Sequence, residues 1–129
     1  MNPLKKKSNH QKDLVDVLSD LIVESIQDIK GENIIKLDLR QIQDNPTSFF
    51  IICEGSSTTQ VHAISNNIYK RLKYEYNDTP FSFEGKTNGN WILMDYFTIV
   101  VHIFHKETRE YYQLEDLWSD AKATKYPNM

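Results

Sequence analysis

The chain reads as an α/β protein, a mixed sheet of about five strands flanked by helices, and three observations predict that class. Two long segments carry apolar residues at helical spacing, while five short ones alternate or run wholly apolar, as strands do. The order along the chain is α-β-β-α-β-β-β-α, which combines a βα crossover with consecutive hairpins. The 129 residues, 40% hydrophobic and 26% charged, suffice for one packed core. Residues 12–129 are assigned to a single domain and residues 1–11 to a flexible basic tail. Two long helices cannot blanket both faces of five strands, so part of one face should stay open.

From Lys12 to Lys30, Leu14, Leu18, Leu21, Ile22, Ile26 and Ile29 recur on one helical stripe, and Gly31 reads as the stop. Over Ile34–Leu39, Ile35, Leu37 and Leu39 alternate with Lys36 and Asp38, the mark of a half-buried strand. Asp44-Asn45-Pro46 is a turn cluster. Phe49–Cys53 is apolar throughout, as in a central strand covered on both faces. Gly55-Ser56-Ser57 breaks that strand. Ser57 and Gln60 fit a capping box, in which each side chain satisfies an orphan backbone donor. Val61, Ile64, Ile68 and Leu72 then carry a helix to about Tyr76. Strands follow at Phe81–Glu84, Trp91–Asp95 and Ile99–His105, with Asn88-Gly89 as a hairpin signal because both residues accept positive φ. Glu107–Tyr112 and Leu114–Ala121 read as short helical turns.

Composition excludes several classes. No apolar run approaches the roughly 18 residues that span a bilayer. The single Cys53 forms no internal disulfide, and no cysteine cluster offers a structural zinc site. Lys5-Lys6-Lys7 is followed by polar residues, unlike a secretory signal, so a cytoplasmic location is expected. The net charge of −3 conceals four lysines and no acid in residues 1–12, leaving residues 13–129 at −7. Such an acidic body suits a basic protein partner better than nucleic acid.

Several local patterns carry candidate chemistry. A strand followed by Gly55-Ser56 and a helix can cradle triphosphate, as nucleotidyltransferases do. Those enzymes also need paired carboxylates for two Mg²⁺ ions, and the next candidate strand offers only Asp95. His102 and His105, three apart on a strand, point to opposite faces and cannot share a metal. His62 starts a helix, His10 lies in the tail, and Cys53 has no base beside it to make it a nucleophile. Lys70, Arg71 and Lys73 with Tyr69, Tyr74 and Tyr76 could touch RNA, or form an ordinary solvated helix face. The strand Trp91–Asp95 is more informative. It sets Trp91, Leu93 and Asp95 on one face and Ile92 and Met94 on the other, and a carboxylate avoids a dry core. The Trp91 face therefore reads as a protein-binding patch, against the alternative of a structural tryptophan under the hairpin.

Several strings together resemble one family. They begin with Ser25-Ile26-x-Asp28-x-Lys30-Gly31, Leu37-Asp38 and Phe50-Ile51-Ile52-Cys53-Glu54-Gly55-Ser56-Ser57, then Gln60-Val61-x-Ala63-Ile64. Glu84-Gly85, Trp91-x-Leu93-x-Asp95-Tyr96 and Val100-Val101-His102-x-Phe104 continue the series. Arg109-x-Tyr111-Tyr112-x-Leu114-Glu115 and Leu117-Trp118 complete it. In order and spacing, over about residues 13–121, they resemble the ribosomal silencing factor family, also called Iojap-related proteins. The resemblance implies a nucleotidyltransferase-like fold without transferase activity, catalytic residue, metal or cofactor. It implies binding to the large ribosomal subunit through its fourteenth protein, which blocks joining of the small subunit and represses translation. The contact residues it implies are Glu84, Trp91, Leu93, Asp95 and Tyr96. A homodimer off the ribosome and a bacterial cytoplasm are further implications; membrane and DNA are not partners, and rRNA contact through the basic tail stays open. An enzyme using Gly55, Ser56 and Asp95 is the alternative. Two positions depart from the family pattern: Ser48 stands where Asp is usual, and Phe97-Thr98 where Gly-Asp is usual. The second removes the residue best suited to positive φ, so the turn is expected to be built differently.

Overall fold

The computed structural model describes residues 13–42 and 44–129; the expectations for the tail and for a helix start at Lys12 lie outside them. Helix α1 spans Leu14–Asp28, strand β1 Glu32–Asp38, β2 Phe49–Gly55 and helix α2 Thr58–Tyr76. Strands β3 (Ser82–Glu84), β4 (Trp91–Asp95) and β5 (Ile99–His105) follow. Helix α3 (Lys106–Tyr112), a 3₁₀ turn at Leu114–Trp118 and strand β6 (Lys122–Lys125) close the chain. The sheet has six strands in the order β3-β4-β5-β2-β1-β6. Only β2 and β5 run parallel; the other four neighbouring pairs are antiparallel.

The sixth strand was not anticipated. Lys122–Lys125 is exposed throughout and has Ala123 as its one apolar residue, so no alternation marks it; it is extended because β1 offers an open edge. Gly31 is also read differently. The left-handed residue ending α1 is Lys30, at φ +63°, and the Lys30 and Gly31 N–H groups donate back to Gln27 and Ile26 carbonyls. Gly31 is needed for closeness, since a Cβ there would lie 2.3 Å from Cγ2 of Ile26. In the β3–β4 hairpin, Gly85 and Gly89 take positive φ and Asn88 does not, so the connection is longer than a two-residue turn. Phe97 itself adopts φ +77°, so the β4–β5 turn keeps a positive-φ residue, contrary to the expected rebuilding. Ser48 is held through its backbone, its N–H donating to Thr98 O and its carbonyl accepting from Leu39.

The capping box is offset. Ser57 Oγ accepts from the Gln60 N–H as expected, but Gln60 Oε1 accepts from Ser56 N–H at 2.7 Å. Gln60 Nε2 donates to the Ile29 and Lys30 carbonyls, tying the start of α2 to the end of α1. Both long helices lie on one face. Leu18, Leu21, Ile22 and Ile26 of α1, with Val61, Ile64, Ile68 and Leu72 of α2, pack on Ile51, Cys53, Ile92, Met94, Val101 and Ile103. A smaller cluster lies on the opposite face, where Ile35, Leu37, Ile52 and Phe104 sit under Leu114, Trp118 and Ala121. That second layer leaves β4 only partly covered, as the expected open face requires.

Candidate functional site

Strand pairing assembles the candidate site row by row. On the face away from α1 and α2, Leu93 stands between Glu84 of β3 and His102 of β5. Asp95 stands between Ser82 and Val100, and Trp91 beside Phe104. Trp91, Leu93 and Asp95 are half-buried while Ile92 and Met94 are fully buried, so the alternation falls as the sequence indicated. Glu84, Trp91 and Leu93 line one shallow depression of about 280 Å³, and Trp91 also walls a larger one of about 480 Å³ with Glu107, Tyr111 and Tyr112. Tyr96 does not join them. It is buried on the helix side with its hydroxyl unpartnered, and burial first, then the charge of Asp78, pushes its phenol up.

Trp91 is more embedded than a free surface anchor. Its ring meets Phe104 at 4.8 Å and Tyr112 at 4.9 Å between centroids. Its indole N–H donates to Nδ1 of His102 at 3.1 Å, which leaves the His102 proton on Nε2, buried and without a partner. Burial pulls the His102 pKa down to about 4, against a smaller upward pull from Asp95. The imidazole is therefore neutral at physiological pH and serves as a fixed acceptor that sets the tryptophan's orientation.

A second arrangement escaped the sequence reading. Glu54 and Arg109 are both buried and paired at 3.1 Å, and Arg109 also bonds Glu115 at 3.3 Å and the Asn33 carbonyl. This network fastens α3 and the 3₁₀ turn across β2 and the irregular start of β1. A signal was available: Glu54 is the lone acid in an otherwise apolar central strand, and a buried carboxylate requires a cation.

The residues of the alternative enzyme are not brought together. Asp95 aligns through Val100 with Phe50, near one end of β2, while Gly55 aligns with His105 at the other. Five residues of strand separate them, about 17 Å. At the start of α2, Gln60 Oε1 already accepts from both Ser56 N–H and Ser56 Oγ. Cys53 is fully buried and its thiol is pushed up to about 12, chiefly by burial. Among the described residues, no group of three or more His, Cys, Asp or Glu is placed to hold a metal. Nor is any helix among them long and apolar enough to cross a membrane. Arg71 of the basic helix patch is engaged by Glu24, Asp28 and Glu75 at 2.8–3.1 Å, which removes it from the proposed RNA surface.

A family model described as "Ribosomal silencing factor during starvation" matches residues 11–129. The chain belongs to the ribosomal silencing factor family. A ribosomal silencing factor from Halalkalibacterium halodurans is 38% identical over 104 residues, covering 81% of this chain and 87% of that protein. A mouse protein named for mitochondrial assembly of the ribosomal large subunit is 38% identical over 76 residues, 57% of this chain and 33% of its own. The crystal structure of a Chromobacterium violaceum protein superposes with a TM-score of 0.78 at 32% identity, covering 89% of this chain and 94% of that one. The family is one of ribosomal silencing factors, and its α/β sheet is the one described above.

Proposed function

We propose that this silencing factor binds the large ribosomal subunit through its fourteenth protein, covers the face where the small subunit docks, and so represses translation. The observation that carries the reading is the row of Glu84, Trp91, Leu93 and Asp95. It is a half-open apolar strip edged by carboxylates, which the second layer meets at Trp91 through Tyr112. Carboxylates at the edge suit a basic ribosomal protein, steering encounter and fixing orientation. Trp91 and Leu93 supply the apolar centre, and His102 holds the indole in place. Tyr96 contributes by shaping β4 from the core side. No chemical step is needed: an interface of roughly 1,200–2,000 Å² overlapping the small subunit's footprint suffices. The free chain would pair as a homodimer, and its compartment would be the bacterial cytoplasm.

Sucrose-gradient sedimentation with separated subunits tests this. The protein should travel with the large subunit, reduce joining when the small subunit is added, and do so equally with or without nucleotide. Leu93→Asp should abolish the co-sedimentation. Sedimentation with the small subunit alone, or a requirement for nucleotide, would overturn the reading.

A further inference from the structure

A second apolar feature lies at the end of β4 remote from Trp91. Phe81 is 80% exposed and Phe97 64% exposed, and their rings meet edge-on with centroids 6.2 Å apart. Both are pinned through Asp95. The Phe81 N–H donates to the Asp95 carbonyl, and the Phe97 N–H to Asp95 Oδ1, each at 2.7 Å. Phe97 sits at φ +77°, and across it the Thr98 N–H donates to the Tyr96 carbonyl. That is a three-residue turn of the rare, strained, positive-φ kind. Glycine would take this conformation freely, whereas a bulky residue is an outlier there. The ring is mostly solvated, so packing gives the fold little in return. Strain held without a structural gain points to a displayed group.

The surroundings indicate what the pair would meet. From Tyr74 to Val101 the only Lys or Arg is Lys86, and its ammonium lies 4.3 Å over the Phe83 ring. Asp95 underlies the pair, and Asp78 acts on the adjacent Tyr96. Such a setting disfavours phosphate backbones and anionic lipid, and suits a cationic protein surface. The six steps from Trp91 to Phe97 span about 20 Å, which fits within the roughly 800 Å² that each partner contributes to a standard interface.

We propose that Phe81 and Phe97 form a second anchor for the same cationic large-subunit protein, entering an apolar depression on it while the Trp91–Asp95 row holds the other end. This rests on the ribosome-binding reading above. The test measures large-subunit affinity, melting temperature and self-association for wild type, Phe97→Gly and Phe81→Ala. Phe97→Gly should melt no lower than wild type yet bind at least about tenfold more weakly, and Phe81→Ala should weaken binding comparably. If wild type binds and both variants match it, the second anchor is wrong while the ribosomal reading stands. If wild type fails to bind the large subunit, both fall. A change in self-association with subunit binding intact would assign the pair to a second copy of the chain and overturn the proposal.

Discussion

On the helix side of the sheet, Ile51, Ile92, Val101 and Ile103 lie under α1 and α2 with no exposed surface, and the cluster around them is almost wholly apolar. On the other side, Phe104 and Ile52 are as deeply buried, but their neighbours include a neutral histidine, an ion-paired arginine and a tryptophan left half open. One face is closed by two long helices of its own. The other is closed by a short helix, a 3₁₀ turn and a salt-bridge clasp, and only over half its width. The contrast teaches that one face is closed mainly by apolar packing, whereas on the other polar contacts hold the boundary between covered and open sheet.

The largest effect should come from that boundary. Arg109→Ala leaves Glu54 buried without its cation, at a cost of about 3–5 kcal/mol in urea unfolding. Combining Glu54→Leu with Arg109→Met should recover most of the loss, since apolar packing there avoids the desolvation of both charges. If Arg109→Ala unfolds like wild type, the clasp does not hold the second layer. Next, Ile92→Ala on the closed face should cost about 3 kcal/mol and spare ribosome binding in the surviving folded fraction. Leu93→Ala, one residue along, should cost about 1 kcal/mol or less and weaken large-subunit binding about tenfold. Equal stability losses at 92 and 93 would erase the division between the faces.

Proton binding separates the faces more finely. His102 is held at about 4, below its ordinary 6.5, so the unfolded chain takes up its proton first as pH falls. Its contribution is complete above about 6.5 and is lost progressively down to about 4, by at most about 3 kcal/mol. Unfolding curves at pH 7.5 and 4.5 should therefore differ less in His102→Phe than in wild type. His62, at the start of α2, behaves oppositely. Both its ring nitrogens face carbonyl oxygens, of Lys86 and Thr58, which raises its pKa. Its support is full below about 6.5 and lost as pH rises through the folded value. His62→Gln should remove this smaller, solvent-screened dependence, detectable as a shift in melting temperature between pH 6 and pH 8.

The closed face was almost wholly legible in the chain. Leu18 through Ile26 and Val61 through Leu72 carry the helical period, and the runs at 49–53 and 99–105 could only be central strands. The division of β4 into a buried and a half-open face was legible as well, because Asp95 marks which face is wet. What escaped depends on partners distant in sequence. Glu54 needs Arg109, 55 residues away, and Trp91 needs His102 on the next strand. Strand β6 has no apolar pattern and exists through its pairing with β1. Tyr96 is grouped with the contacts by the family resemblance, yet it is buried with the core under the helices.

The single parallel pairing in the sheet has a kinetic consequence. Every register partner across β2 and β5 lies 50 positions apart, from Phe49 with Ile99 to Gly55 with His105. The ladders on either side, β1 with β2 and β4 with β5, close over short connections. Local hairpins close in microseconds, whereas distant pairings must first overcome the entropy of a long loop. Leaving the exposed edge strand β6 aside, the seam between β2 and β5 is thus the ladder expected to close last, joining two locally formed hairpins. Trp91 and Glu54 lie on opposite sides of that seam, so the sheet face that carries both is complete only once it has closed.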